Sequence, residues 1–312
     1  MSDIENKDFE YYLKESKKFL FDYENHDDAL NSLNKAIELN PKSSEAISLR
    51  GRCQLEMLLL WGAISDFQEL IESNSANRQD FISYFISQGL RFSMVPVLDP
   101  SNENGIKCIL KAIELDISKE DAYLIIPALK KIIKRIDENI IKNPENKKDY
   151  FLRGSAKYAL GRSHDLIDTD ENAKRNYQIA IKDFDKVIEL NFEPEVALLR
   201  RGICRCRSGL LKDSIKDFDK VILLKPDSAE AHAYKGMVQC DSKGWEAMAI
   251  SKAKEKGREA ISILKIIKRI KDANANLKKA IDLDTNFSYL KKLIEKNEIF
   301  LSRFNDINEH VF

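Results

Sequence analysis

The apolar positions of IKDFDKVILL (Ile215–Leu224) are interleaved with charged ones at helical steps, and the block has a near twin in IKDFDKVIEL (Ile181–Leu190). Nine of the ten positions agree at an offset of 34 residues, and a fixed period of that size predicts stacked copies of one supersecondary unit. Within the later copy a first apolar segment stops at Gly209 and a second breaks at Pro226, which predicts two short helices joined by a turn. Small residues fall where two helices would touch. One aromatic, Phe184 or Phe218, sits on the second helix of each copy.

Further copies follow from the same pattern. HDDALNSLNKAIELNP (26–41) spaces Ala29, Leu33, Ala36 and Pro41 so that small side chains allow close helix approach and Leu33 fills the gap, while Pro41 ends the helix. The second copy places Gly51, Ala63 and Phe67 at the matching positions, and KAIELN (35–40), KAIELD (111–116) and KAIDLD (279–284) are close relatives. On these residues the chain resembles the tetratricopeptide repeat (TPR) family. The resemblance implies an all-α fold, a TPR-type α-solenoid in which antiparallel helix pairs stack into a right-handed superhelix. It also implies a non-catalytic role in binding other proteins. Tryptophan is missing from its usual first-helix position, and basic residues (Arg50, Arg153, Arg201, Lys235) precede the glycine where Leu is common. Their stems are expected on neighbouring helices with the charge in water.

The organisation expected is then a run of copies with interruptions. Residues 1–77 hold copies one and two, and 78–146 hold degenerate helical repeats in which 120–146 reads either as one long helix or as a worn pair. Residues 147–285 hold copies five to seven, with insertions at about 161–176 and 243–272. Residues 286–312 form an amphipathic helix expected to cap the last copy.

Composition narrows the classes. Formal charge is zero overall, yet residues 1–77 carry 8 basic and 15 acidic side chains and residues 147–312 carry 33 and 26, a polarity from −7 to +7. Such ends would orient a partner or favour head-to-tail association of copies, a candidate homo-oligomer. The polar N-terminus and the absence of a long apolar run argue against a secretory signal or a membrane span. Five cysteines fit reduced thiols and a cytoplasmic setting.

Candidate chemistry is sparse. The four histidines are scattered, no phosphate loop or nucleophile elbow is present, and Asp183/Asp185 and Asp217/Asp219 recur with the repeat, which points to a solvated helix face. No enzyme activity, metal or cofactor is expected. Cys204, Cys206 and Cys240 read as small buried thiols, since a spacing of two splays side chains around a helix. The family's groove positions, carried over by the resemblance, fall on Arg52, Phe151, Ser155, Tyr158, Leu199, Ile203, Arg207 and Met237, with Ser48, Leu55, Cys206, Ala233 and Cys240 beside them. The Lys and Asn set that grips a chaperone's terminal carboxylate is absent there. What remains is an apolar lane with Arg207 at its edge, suited to a peptide or amphipathic helix of another protein. The lane is alternatively filled by the 241–272 insertion or the C-terminal helix. A basic stretch at 246–272, with Lys252, Lys254, Lys256, Arg258, Lys268 and Arg269, offers a nucleic-acid or anionic-membrane surface, or else packs its apolar stripe on adjoining helices.

Overall fold

The computed structural model describes residues 3–95, 103–167, 170–240 and 259–309. Among these it contains fourteen α-helices, one short 3-10 helix and no strand. The chain divides into two compact units, 1–176 and 177–312.

In the first unit α1 (Asp3–Phe21) packs on α2 (His26–Leu39), and α3 (Ser44–Glu56) on α4 (Leu60–Glu72). Next come α5 (Arg78–Met94) with α6 (Glu103–Glu114), and α7 (Lys119–Lys142) with α8 (Lys147–Ile167). Successive pairs meet through α2 with α3 and α4 with α5. Residues 120–142 form one continuous helix, which settles the ambiguity left by the pattern: Pro127 lies on an exposed face and does not break it.

The unit boundary falls inside α9 (Asp170–Glu189). In the second unit α10 (Pro194–Arg207) packs on α11 (Leu211–Leu224), and α12 (Ala229–Gln239) packs on α13 (Glu259–Leu283). A 3-10 helix (Thr285–Leu290) then leads to α14 (Lys291–Glu309). Both insertions lengthen helices. The first extends α8 and α9, and the described part of the second runs without interruption into the second helix of copy seven.

Close approach explains the small residues. A Cβ on Gly51 would lie 2.9 Å from the Phe67 ring, and one on Gly202 would lie 2.7 Å from the Phe218 ring. Gly236 repeats this against Leu277 at 2.7 Å. The facing aromatics are fully buried, as are Ala29, Ala36 and Ala63. Burial of rings of this size contributes roughly 3 kcal/mol each.

Helix starts are fixed locally. Asn77 with Asp80 and Ser118 with Asp121 form reciprocal capping boxes, and Ser43 and Ser228 cap α3 and α12. In copies one, two and six the turn between the two helices uses a left-handed residue: Glu24 at φ 51°, Leu58 at φ 58° and Gly209 at φ 80°.

Candidate binding interface

The basic residues that precede the glycines do not keep their charges in water, contrary to the sequence expectation. Arg201 is a tenth exposed and grips Asp217 with two bonds, Nε to Oδ2 at 3.0 Å and Nη2 to Oδ1 at 2.6 Å. Its Nη1 reaches Asp185 at 2.6 Å, and Arg205 joins both carboxylates. Arg50 grips Asp66 in the same fork at 2.9 and 2.7 Å and donates to Asn34 at 3.2 Å. Arg153 donates to Asp137 at 2.9 Å and Lys235 meets Asp219 at 2.7 Å.

Apart from those of Arg205, these partners all lie 16 residues before or after the basic residue. The carboxylate that precedes the core aromatic turns to its own first helix, and the one that follows it turns to the next pair. The expected solvated face is therefore only half right: Asp183 and Asp217 are buried, and Asp185 and Asp219 are the outer members. Burial alone would lower the Arg201 pKa, but Asp217 and Asp185 outweigh it and hold the guanidinium above its ordinary value. Asp66 does the same for Arg50. A planar, always charged guanidinium suits such forked pairing.

These bridges consume the recurrent carboxylates, so the candidate surface has to be sought among the remaining first-helix positions. In the first unit Arg52 is exposed and Phe151 half-buried, whereas Ser155 and Tyr158 are buried and Leu55 belongs to the core. In the second unit Leu199 and Cys206 are half-buried, Arg207 is exposed and Ile203 is buried. Met237 packs beside a cluster of Ala233 and Cys240 with Leu290 and Ile294 of the C-terminal segment. Asn297 on α14 also donates to Cys240 Sγ at 2.9 Å and to Asn274 at 2.7 Å. At copy seven, then, Ala233, Met237 and Cys240 pack with the chain's own C-terminal segment, while on α10 Leu199 is half-buried and Arg207 exposed.

Of the basic stretch, Lys268 is exposed, Arg269 half-buried and Ile270 buried; Lys252, Lys254, Lys256 and Arg258 lie outside the described residues. All five cysteines are outside disulfides, with Cys53, Cys204 and Cys240 buried. Burial pushes the Cys53 thiol up to about 11 and raises Cys204 and Cys240 as well, which keeps them unreactive. Among the described residues no group of His, Cys, Asp and Glu is placed to hold a metal ion, and no helix is long and apolar enough to cross a membrane.

Sequence reasoning passed over one feature, the turn of copy two. Leu58, Leu59 and Trp61 are about half exposed or more, and the Arg91 guanidinium stacks on Trp61 at 4.7 Å. Counting back from each core aromatic, or from Leu33 in copy one, the Trp61 position holds Asp27, Gln178 and Lys212 in copies one, five and six. A polar residue is what the fold takes there. The signal was visible by aligning the copies outside the packing positions.

No family model matches the chain, and no curated protein does. Solved structures that align with it include a tetratricopeptide repeat protein from Parabacteroides merdae, at 18% identity over 94% of this chain and 99% of that one, with a TM-score of 0.31. The TPR2AB domain of yeast Sti1 in complex with pHSP90 aligns at 18% over 94% and 98%, with a TM-score of 0.30. Yeast Tom70 aligns at 15% over 90% and 77%, with a TM-score of 0.27. TM-scores this low add nothing to the fold assignment, which rests on the 34-residue period and the consecutive helix pairs. Period and pairing together make this an all-α chain built from tetratricopeptide-type helix pairs.

Proposed function

We propose that the chain is a non-catalytic protein-interaction scaffold that binds a peptide or helical segment of another protein along its first helices. The observation that carries this is α10, where Arg207 is exposed and Leu199 and Cys206 are half-buried at helical spacing. The carboxylates around that helix are engaged in holding neighbouring helices together. An apolar lane edged by a guanidinium suits an amphipathic segment, with apolar burial giving affinity and the charge giving orientation. The wider lane of the resemblance, with Arg52, Phe151 and Met237, enters this reading as its extension; Ser155, Tyr158 and Ile203 act beneath it as support.

The test is a pull-down with the native chain and with a Leu199→Glu, Arg207→Glu variant, both checked by circular dichroism. A partner captured by the native chain and lost with a folded variant is the expected result. An unchanged set of captured proteins would count against this surface. Self-association of copies through the acidic and basic ends is the second reading, and salt-sensitive oligomers in light scattering would favour it.

A further inference from the structure

We infer that the turn of copy two is a second docking surface, for a protein segment that presents a side-chain carboxylate beside an apolar side chain. It is independent of the first-helix reading, since it uses the α3–α4 turn and the end of α5.

Three observations converge. The first is apolar exposure where the repeat does not require it: Trp61 is 65% exposed, flanked by Leu58 and Leu59 at 48% and 46%, with Met94 at 42% on the end of α5. The second is an available cation. The Arg91 guanidinium lies 4.7 Å from the Trp61 ring and 4.7 Å from the Phe92 ring. Its Nε is buried without a hydrogen-bond acceptor, and it makes no ion pair among the described residues. Gln88 Oε1, one turn earlier on α5, is likewise buried without a donor. Arg50, Arg153 and Arg201 each have a carboxylate, whereas Arg91 meets rings instead. The third is backbone cost. Leu58 occupies the left-handed turn position at φ 58°, where copy six has Gly209 at φ 80°. A leucine there is less stable than glycine, and its side chain is spent on solvent.

Charge complementarity identifies the occupant. A half-buried guanidinium held against two rings, with no carboxylate partner among the described residues and only its Nε buried, can donate in a fork from its Nη groups to a planar carboxylate. Trp61, with Leu58 and Leu59 beside it in the chain, offers apolar surface for the neighbouring side chain. A helix-terminal cation alone would favour α5, but that role needs neither the exposed indole nor the strained leucine.

The experiment selects short random peptides displayed on phage against the full chain, with a Trp61→Ala chain as counter-selection. Recovered Trp61-dependent peptides should carry Asp or Glu close to Leu, Ile, Phe or Met. Each synthetic peptide should bind roughly tenfold tighter than its Glu→Gln counterpart. Arg91→Gln should erase that difference. Leu58→Gly should weaken binding severalfold while the melting temperature holds or rises, which separates recognition from folding. Recovery of no Trp61-dependent peptide, or of peptides without acidic residues, would overturn the inference. So would a dimer dissolved by Trp61→Ala in light scattering, because the occupant would then be a second copy. Loss of peptide binding here leaves the Leu199 and Arg207 pull-down unaffected, so the two readings fail separately.

Discussion

Copies two and six share a frame and differ at one end. Both place a glycine under a phenylalanine ring, Gly51 with Phe67 and Gly202 with Phe218, and both fork an arginine onto the aspartate before that ring. The turns then diverge: copy two has Leu58, Leu59 and Trp61, and copy six has Gly209, Leu210 and Lys212. What the copies share is what packing demands. What they do not share is free to carry recognition, and copy two spends backbone strain and exposed indole there.

The largest effect that would break the comparison concerns the frame. Asp217→Ala leaves Arg201 buried without its forked partner, and such losses cost roughly 3–5 kcal/mol. Asp219→Ala, two residues on, removes a partner that is half exposed in its pair with Lys235, and about 1 kcal/mol or less is expected. Urea unfolding of the two variants checks the ranking; equal losses would mean that the buried fork is not what holds the helices.

The turn gives the next effect, and it has opposite signs in the two copies. Leu58→Gly should stabilise by about 0.5–1 kcal/mol, because it relieves a left-handed leucine. Gly209→Leu should destabilise by about 1 kcal/mol for the converse reason. No neighbour lies within 4 Å of a Cβ at Gly209, so backbone strain alone sets that value. Thermal melts of both variants read the signs directly.

The smallest effect is pH-dependent and lies on α8. Burial holds the His164 pKa below its ordinary value of 6.5, and the nearby Lys130 charge adds to the depression. The unfolded chain therefore takes up the proton first as pH falls. The contribution to stability is present above pH 6.5 and is lost as pH drops through the lower folded value. His164→Gln should flatten that decline in melts recorded at about pH 7.5 and pH 5.5. A variant with the same slope would place the acid sensitivity elsewhere.

The fold was readable because its determinants are local and periodic. Gly51, Ala63 and Phe67 recur in kind at Gly202, Ser214 and Phe218, and spacing of that sort names helix faces without knowledge of what they meet. The fate of the charges was not readable. Asp217 and Asp219 lie on the same helix two residues apart, and only the position of the next pair decides that one is buried under Arg201 and the other reaches Lys235. The carried-over site divided in the same way. Arg207 is exposed and Leu199 half-buried, whereas Ser155, Tyr158 and Ile203 face in, because the same helix that offers a surface must also pack on its neighbours. Trp61 was overlooked because attention to repeated positions discounts the residues that do not repeat.

The most direct measurement gives copy two the turn of copy six, with Leu58→Gly and Trp61→Lys made together. Its melting temperature and its binding to the Trp61-dependent acidic peptides are then measured on the full chain. A melting temperature equal to or above that of the native chain, with peptide binding lost, is the result expected if the frame folds the repeat and the turn serves recognition. A lower melting temperature, or peptide binding that survives the exchange, would contradict that division of labour.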